Sequence, residues 1–317
     1  VDTPVDAGTI GNAQTICTGD DPSVLTNVIA VSGGNGTYTF QWQEGPSVVG
    51  PFTPAVGTNT NATYDPPVLT TTTFYRRQVF SGVCAPGSAI SNVIEVTVDQ
   101  DVVPGVINNP QVICAGDDPA LLGETTPPSG GDGSSYLITW EESTTGGGVG
   151  FVAAAGVNNN NTYDPPVLTS SSFYRIRLSS VFCPDEISNE IEITVEALPT
   201  ANVTGGGSVC AGVPGPPAVV TMTGTGPYNI TYERNGNPTT VNGVTSPYTI
   251  PGSDMVTDDP DTYIVTSITD LGTTINCVVN APSANITGSA TIATSGTPPT
   301  TNDAITFGTA VCDDGAG

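Results

Sequence analysis

The sequence predicts an all-β protein made of tandem immunoglobulin-like β-sandwich domains in an extended array. Three observations carry this prediction. Strings of residues recur at a nearly constant offset, short segments alternate apolar and polar residues, and the cysteines alternate between long and short spacings. The chain also contains 38 glycines and 28 prolines, and no stretch shows the 3.6-residue period of a helix. These features favour short strands joined by turns.

The internal repeat is visible in identical strings. TYDPPVLT stands at 63–70 and again at 162–169, and the strings GDDP, FYR and ISN also return, all at offsets between 97 and 99 residues. Such a framework indicates consecutive copies of one domain, because a catalytic motif is needed only once per domain. The predicted divisions are the end of a preceding repeat and a linker at 1–9, repeat 1 at 10–98, a linker at 99–106, repeat 2 at 107–195, a linker at 196–198, a divergent repeat 3 at 199–294, and a linker and the start of repeat 4 at 295–317.

The strands are recognised by their period of two. Tyr38, Phe40 and Trp42 fall on one face of a strand, with polar residues between them, and the segment 94–98 alternates in the same way. A repeat of about 97 residues, with roughly seven short strands and an aromatic residue in a central strand, is typical of an immunoglobulin-like sandwich.

Two features of the repeats stand apart from the strand pattern. The prolines of TYDPPVLT cannot donate to a sheet ladder, so this string is predicted to mark a sheet edge or a crossover between sheets. Arg77 interrupts an apolar strand face at the position where repeat 2 has Ile176, and the sequence gives no reason for the difference.

The seven cysteines provide the period independently. They stand at Cys17, Cys84, Cys114, Cys183, Cys210, Cys277 and Cys312. The simplest interpretation is one disulfide inside each repeat, although six cysteines allow 15 pairings. The predicted pairs are Cys17–Cys84, Cys114–Cys183 and Cys210–Cys277, with Cys312 opening the fourth repeat. The chain has no histidine and no CxxC, which argues against zinc.

Charge and cysteine usage restrict the partners and the compartment. Thirty acidic residues face five arginines and no lysine, giving a net charge of −25, which is repelled by nucleic acid and by anionic lipid. Regular disulfides place the chain outside a reducing cytosol. No apolar run is long enough to span a bilayer, so membrane insertion is not expected.

The repeat frame resembles a known group of proteins. Its sequence is C-x-G-D-D-P-x-x-L, an aromatic-x-W strand, Y-D-P-P-x-L-T-x-x-x-F-Y-R, a cysteine, and S-N-x-I-E-V-T-V. This frame is similar to the Ig-like or PKD-like tandem repeats of giant cell-surface adhesins of Bacteroidota, including gliding-motility adhesins exported by the type IX secretion system. The resemblance covers repeats 1 and 2 closely and repeat 3 loosely. It implies an extracellular adhesive role at a bacterial cell surface.

An enzyme is not expected. Without histidine the chain cannot build a Ser-His-Asp or Cys-His arrangement. Glu141 and Glu142 form the densest carboxylate pair, but consecutive strand residues point to opposite faces, and repeat 1 has Gln43 and Glu44 there.

Calcium is the one cofactor that the sequence suggests. Asp99 and Asp101 lie in the first linker, and Asp117 and Asp118 lie in a turn just beyond it. Carboxylates are the ligands that calcium prefers, so these four residues form a candidate junction site. The competing interpretation is an ordinary turn, in which the first Asp of GDDP caps its own backbone.

The function predicted from these features is that of a stalk segment. Neighbouring repeats of the same chain are its expected partners, and the array holds an adhesive region away from the cell. The alternatives are a glycan-binding accessory array of a secreted polysaccharide-degrading enzyme, which should show an exposed aromatic platform, and a subunit of an extracellular filament. The surface or glycan ligand is not indicated by any motif.

Overall fold

Three β-sandwiches follow one another along the chain. In the part of the protein that the structure describes, all regular secondary structure is β-strand. A computed structural model describes residues 3–82, 88–131, 136–210, 212–254 and 259–295. Each sandwich has its own cluster of buried apolar side chains. The predicted all-β class is therefore confirmed. The predicted start of a fourth repeat lies almost entirely outside the described residues.

The first sandwich contains a small and a large sheet. Its strands are β1 Thr9–Gly11, β2 Gln14–Cys17, β3 Thr26–Ile29, β4 Thr39–Gly45, β5 Thr53–Pro54, β6 Thr73–Phe80, β7 Ser88–Ile90 and β8 Ile94–Val103. Strands β1 and β3 form the small sheet. The large sheet has the order β8-β6-β4-β5, with β2 added to β8 in parallel and β7 paired with β6. The first segment of the domain therefore contributes one strand to each sheet, β1 to the small sheet and β2 to the large one.

The second sandwich repeats this arrangement. Its strands are β9 Val106–Asn108, β10 Gln111–Cys114, β11 Leu122–Thr126, β12 Ser129–Gly131, β13 Leu137–Ser143, β14 Val152–Ala153, β15 Thr162–Tyr163, β16 Ser172–Ser179, β17 Glu186–Ile187 and β18 Ile191–Glu196. One sheet has the order β15-β11-β9, and the other has the order β10-β18-β16-β13-β14. Strand β10 is parallel to β18, as β2 is to β8.

The third sandwich has the same plan with longer strands. Its elements are β19 Thr200–Thr204, β20 Gly206–Val209, β21 Val219–Thr223, β22 Tyr228–Arg234, β23 Asn237–Val244, β24 Tyr248–Thr249, β25 Asp261–Asp270, β26 Val278–Asn280, β27 Ile286–Gly288 and β28 Ala290–Thr294. The sheets are β24-β21-β19-β27 and β20-β28-β25-β22-β23. The third repeat has therefore lost the strings of the other two but kept their topology.

Stacked aromatic rings occupy the centre of the first two sandwiches. The ring centroids of Trp42 and Tyr64 are 5.6 Å apart, those of Tyr64 and Tyr75 are 5.5 Å apart, and all three side chains are buried. The indole nitrogen of Trp42 donates to the carbonyl of Asn61 at 2.9 Å. The second sandwich has the same three-ring stack. These rings fill the space between the sheets, where antibody domains place a disulfide.

Arg77 proves to be a fully buried tie between the two sheets of the first sandwich. Its guanidinium donates to the carbonyl of Ala62 at 2.7 Å, to the carbonyl of Ala7 at 2.9 Å, and to the side-chain oxygen of Asn27. Burial lowers the pKa of Arg77. The residue thus takes the place of the apolar Ile176 because it satisfies acceptors on three neighbouring segments.

Candidate functional site: the disulfide-bridged junctions

The disulfides connect different sandwiches. Cys17 of the first sandwich is bonded to Cys183 of the second, with 5.0 Å between Cα atoms. Cys114 of the second is bonded to Cys277 of the third, with 5.7 Å between Cα atoms. Cys210 is disulfide-bonded as well. The five residues are half-cystines as expected, but the predicted intradomain pairing is wrong.

The observed pairs Cys17–Cys183 and Cys114–Cys277 replace the predicted pairs Cys17–Cys84, Cys114–Cys183 and Cys210–Cys277. Cys84 and Cys312 lie outside the described residues. In the second sandwich, Cys114 pairs with Glu196 at the end of β18. Cys183 lies at the other end of the same sheet, in the turn between β16 and β17, and β17 pairs with the far end of β16. About ten extended residues separate these ends, which is roughly 33 Å. A disulfide needs Cα atoms within about 7 Å, so the two cysteines of one repeat cannot meet.

The linker of the first junction is a strand that belongs to both sandwiches. Strand β8 continues through the predicted linker to Val103, where it pairs with Ser129 of β12 in the second sandwich. Val102 is 2% exposed and is part of the second core. Gly130 has φ of +82°, and a Cβ there would lie 1.9 Å from the carbonyl oxygen of Asp101. Only glycine allows this close approach of the two backbones.

The same contact precedes the first sandwich. Asp6 pairs with Ser32, and the amide of Gly34 donates to the carbonyl of Thr3 at 2.9 Å. A Cβ on Gly33 would lie 2.1 Å from the carbonyl oxygen of Pro4. The segment 3–6 therefore meets the first sandwich as 100–103 meets the second, which makes the arrangement a property of the repeat.

The second junction is held by a carboxylate. Glu196, the last residue of β18, accepts hydrogen bonds from the amides of Thr274 at 2.7 Å and Ile275 at 3.4 Å, next to Cys277 in the third sandwich. Partial burial of the carboxylate acts to raise its pKa, but these hydrogen bonds outweigh it, so the pKa of Glu196 lies below its ordinary value. Leu198 of the linker packs against the third core.

The repeated strings GDDP and TYDPPVLT bind each other at the end of the sandwich that carries the first cysteine. The amide of Gly19 donates to the carbonyl of Leu69 at 2.8 Å, and the amide of Leu69 donates to the carbonyl of Asp20 at 3.2 Å. The second copy forms the same two bonds between Gly116, Asp117 and Leu168. The strings are scaffold that fixes where each first cysteine leaves its strand.

The aspartates predicted for calcium divide into two separate places. Asp99 is 7% exposed and lies beside Cys17, whereas Asp117 caps the amide of Cys114 at 3.1 Å at the opposite end of the second sandwich. Asp118 follows there, and is exposed. A shared calcium site for Asp99, Asp101, Asp117 and Asp118 is therefore wrong, because a whole domain length separates the two pairs. The turn interpretation of GDDP is confirmed by the capping bond.

One group of potential metal ligands does occur at the first junction. The side chains of Cys17, Asp101 and Cys183 bring ligand atoms within 4.8 Å of one another, and no other group of three was found in the described ranges. Both sulfur atoms are used in the disulfide, so neither is a thiolate that could bind a metal. The Asp101 carboxylate, 3.1 Å from the Cys17 sulfur, is the only ligand left.

One member of the candidate carboxylate pair, Glu141, is neutralised by arginines. Glu141 accepts hydrogen bonds from Arg175 at 2.8 Å and from Arg177 at 2.9 Å, and is 7% exposed. Arg234 forms a two-point ion pair with the buried Asp261 in the third sandwich. With Arg77 buried and Arg76 bonded to a glutamine, all five arginines of the chain have internal partners. The acidic outer surface therefore keeps its negative charge.

The chain matches one protein family, and its fold matches solved structures. A family profile described as "Domain of unknown function (DUF8696)" matches residues 6–100 and 103–197. The chain belongs to this family. Each DUF8696 match covers one of the first two sandwiches, residues 101 and 102 of the junction strand β8 lie between the two matches, and the third sandwich lies beyond the matched residues.

Solved structures share the fold of the DUF8696 chain. The I-band fragment I67–I69 of titin matches with a TM-score of 0.52 and 11% identity, over 93% of this chain and 99% of that chain. An E-to-A variant of the same titin domains matches with a TM-score of 0.52 and 11% identity, over 90% and 96%. Sidekick-1 immunoglobulin domains 1–4 match with a TM-score of 0.31 and 16% identity, over 90% and 72%. No curated protein matches.

These titin matches confirm tandem immunoglobulin-like domains. At 11% identity they show the fold and nothing about activity or ligands. No helix in the described residues is long and apolar enough to cross a membrane.

Proposed function

We propose that this chain is a structural stalk segment of a long secreted bacterial cell-surface adhesin, which projects an adhesive region from the cell. The observation that carries the proposal is the covalent and backbone continuity of both junctions. Each sandwich is bonded to the next by a disulfide, and the first junction adds a strand shared between two sandwiches. Such junctions maintain a fixed direction from one domain to the next, which is what a projecting stalk requires.

An extracellular location is supported by the cysteines. All five described half-cystines are oxidised, and such bonds persist outside a reducing cytosol. The acidic surface, whose arginines are all bound internally, suits a solvated stalk that avoids non-specific association. The bacterial source, the type IX route and a use in surface attachment or gliding motility come from the resemblance of the repeat frame to Bacteroidota adhesins.

The glycan-binding alternative is not favoured by the aromatic side chains. Phe52 lies under the guanidinium of Arg76 at 4.1 Å, and Phe151 lies under that of Arg175 at 4.0 Å. Of the described aromatic residues, Phe80 and Phe182 are the exposed ones, at 36% and 47%. They lie at the ends of sandwiches and form no flat platform across a sheet.

The test uses intact cells of the source organism. Antibodies against the second sandwich should label unpermeabilised cells, and a short protease treatment should remove the label. Deleting residues 10–195 from the full-length gene should shorten the projection, seen by electron microscopy, while the protein still reaches the surface. Label that appears only after permeabilisation, or a deletion that abolishes adhesion without changing the projected length, would contradict the stalk proposal.

A further inference from the structure

The two interdomain disulfides overlap along the chain. Cys17–Cys183 closes a loop of 166 residues, and Cys114–Cys277 closes a loop of 163. Cys114 lies inside the first loop, and Cys183 lies inside the second. A pull on the two ends of a cross-linked chain is carried by its shortest covalent route, because longer routes remain slack until the short one is straight.

We propose that these disulfides form a tension-bearing bypass, which carries a pull along the array past the bodies of the sandwiches. A pull applied at the N-terminal side of the first sandwich is transmitted along the backbone to Cys17 and then through the disulfide to Cys183 in the second sandwich. Strands β3–β8, which hold most of the first core, lie inside the bypassed loop. They carry no load, so the pull does not unfold them.

The load-bearing segment is already extended. After Cys183 the route follows β17 and β18 from one end of the second sandwich to the other, continues through the linker, and enters β19 and β20 of the third. It reaches Cys210 after 27 residues, and Cys210 is itself disulfide-bonded, so the route leaves the backbone again there. A strand rises about 3.3 Å per residue, close to the maximum reach of the chain, so this segment has little length to release.

The position of the cysteines produces this route. The first cysteines Cys17 and Cys114 each end the strand that runs parallel to the last strand of their sandwich. The second cysteines Cys183 and Cys277 each precede the short strand, β17 or β26, that pairs with the long strand β16 or β25. Between Cys183 and Cys210 the chain crosses the second sandwich once, along β17 and β18, and the third once, along β19 and β20. An intradomain disulfide could not do this, because it would leave each linker as the sole connection between domains. The bypass concerns the chain itself, and it rests on the proposed stalk role only for the origin of the tension.

The test is to stretch single molecules of the full chain by their two ends, before and after reduction. A four-cysteine variant with Cys84→Ser, Cys210→Ser and Cys312→Ser retains only the two described disulfides. In the oxidised variant the shortest covalent route from Cys17 to Cys277 shortens from 260 residues to 69, by way of the segment between Cys114 and Cys183. Reductant should therefore lengthen the fully stretched molecule by 191 residues, which is roughly 650 Å at about 3.4 Å per residue.

Two matched variants each retain one disulfide. In the four-cysteine background, Cys17→Ser with Cys183→Ser should gain 163 residues on reduction, and Cys114→Ser with Cys277→Ser should gain 166. These gains correspond to roughly 550 Å each. In the second variant the first sandwich should give no unfolding event until reductant is added.

The opposite outcome is equally specific. If Cys114 were paired with Cys183, the four-cysteine variant would gain only 69 residues, roughly 230 Å, and neither matched variant would gain anything. That result, or three sandwich-sized unfolding events in the oxidised molecule, overturns the bypass. The measurement uses purified protein, so it can succeed even if the stalk proposal fails on cells, and it can fail even if the protein proves to be a surface stalk.

Discussion

Replacing Arg77 with isoleucine tests whether a buried cation stabilises the first sandwich. The change installs the residue type that the second sandwich uses at this position, Ile176, which is also fully buried. If filling the core were the only requirement, the variant Arg77→Ile should be neutral or stabilising, since a buried charge is costly to desolvate. The hydrogen bonds of the guanidinium predict the opposite result.

The magnitude follows from the acceptors that lose their donor. The carbonyl of Ala7 is bonded at 2.9 Å in a buried setting, and leaving it unpaired costs about 1–3 kcal/mol. Ala62 and Asn27 are exposed residues whose oxygens can bind water once the guanidinium is removed, so the loss of each hydrogen bond costs about 1 kcal/mol or less. We expect the first sandwich to lose about 2–4 kcal/mol. For a domain of this size that corresponds to a fall of roughly 10–25 °C in Tm.

Tryptophan fluorescence can report the first sandwich alone. The chain has two tryptophans, so in a Trp140→Phe background only Trp42 remains. The matched control is Arg76→Ile, which removes an arginine from the other face of the same strand, where it contacts Gln43 and Phe52. This half-exposed contact should be worth less than about 1 kcal/mol. Urea unfolding of both variants gives the comparison.

A result in which Arg77→Ile unfolds at the same urea concentration as Arg76→Ile, or at a higher one, would refute the reasoning. It would mean that the desolvation cost of the guanidinium cancels its hydrogen bonds. A changed m-value would instead indicate that the substitution alters the compactness of the denatured or the native state.

Three further predictions concern pH and the junctions. Burial raises the pKa of Tyr64 and of Tyr174 to about 12. The free energy of unfolding, measured by urea titration, should therefore fall as the pH rises from ~10 toward 12, by about 1.4 kcal/mol per pH unit for each tyrosine. Glu196→Gln should speed thiol reduction of the Cys114–Cys277 disulfide by up to roughly fivefold, because it weakens the hydrogen bonds to Thr274 and Ile275. In the wild type these hydrogen bonds should weaken only as the pH falls below ~4.3, since the pKa of Glu196 lies below its ordinary value. Gly130→Ala should lower Tm well beyond Gly156→Ala, since both have positive φ but only Gly130 faces a backbone oxygen, so equal effects would contradict the close approach.

Much of the domain could be predicted from sequence because its signals are local. The alternation around Trp42 and the strings GDDP and TYDPPVLT each depend on a few neighbouring residues, and the structure uses them as strand and turn. The capping role of the first Asp in GDDP followed from turn chemistry alone. Arg77 was recognisable as an exception, but its partners come from three distant segments, which no local pattern connects.

The cysteine pairing could not be read from spacing, because spacing gives the repeat and not the end of the sheet at which a residue lies. The needed fact is that β10 runs parallel to β18, which places Cys114 beside the end of β18 and far from the turn that holds Cys183. Parallel pairing of the first and last strands leaves no local signature. The calcium prediction fails for the same reason, because Asp99 and Asp117 are near one another in sequence but lie at opposite ends of the second sandwich.

The third repeat shows which part of the framework the junction depends on. It has lost both GDDP and TYDPPVLT, and a bond from the amide of Gly215 to the carbonyl of Asp254 replaces their contact. Even so, Cys277 is joined to the preceding sandwich, and Cys210 is oxidised. The strings are therefore one way to hold the strand that carries the first cysteine, and the described cysteines of the second and third repeats keep their positions at the two ends of the sandwich with or without the strings. A stalk whose strength depends on its junctions can vary its domain bodies as long as these two positions stay fixed, which agrees with a body that carries no tension.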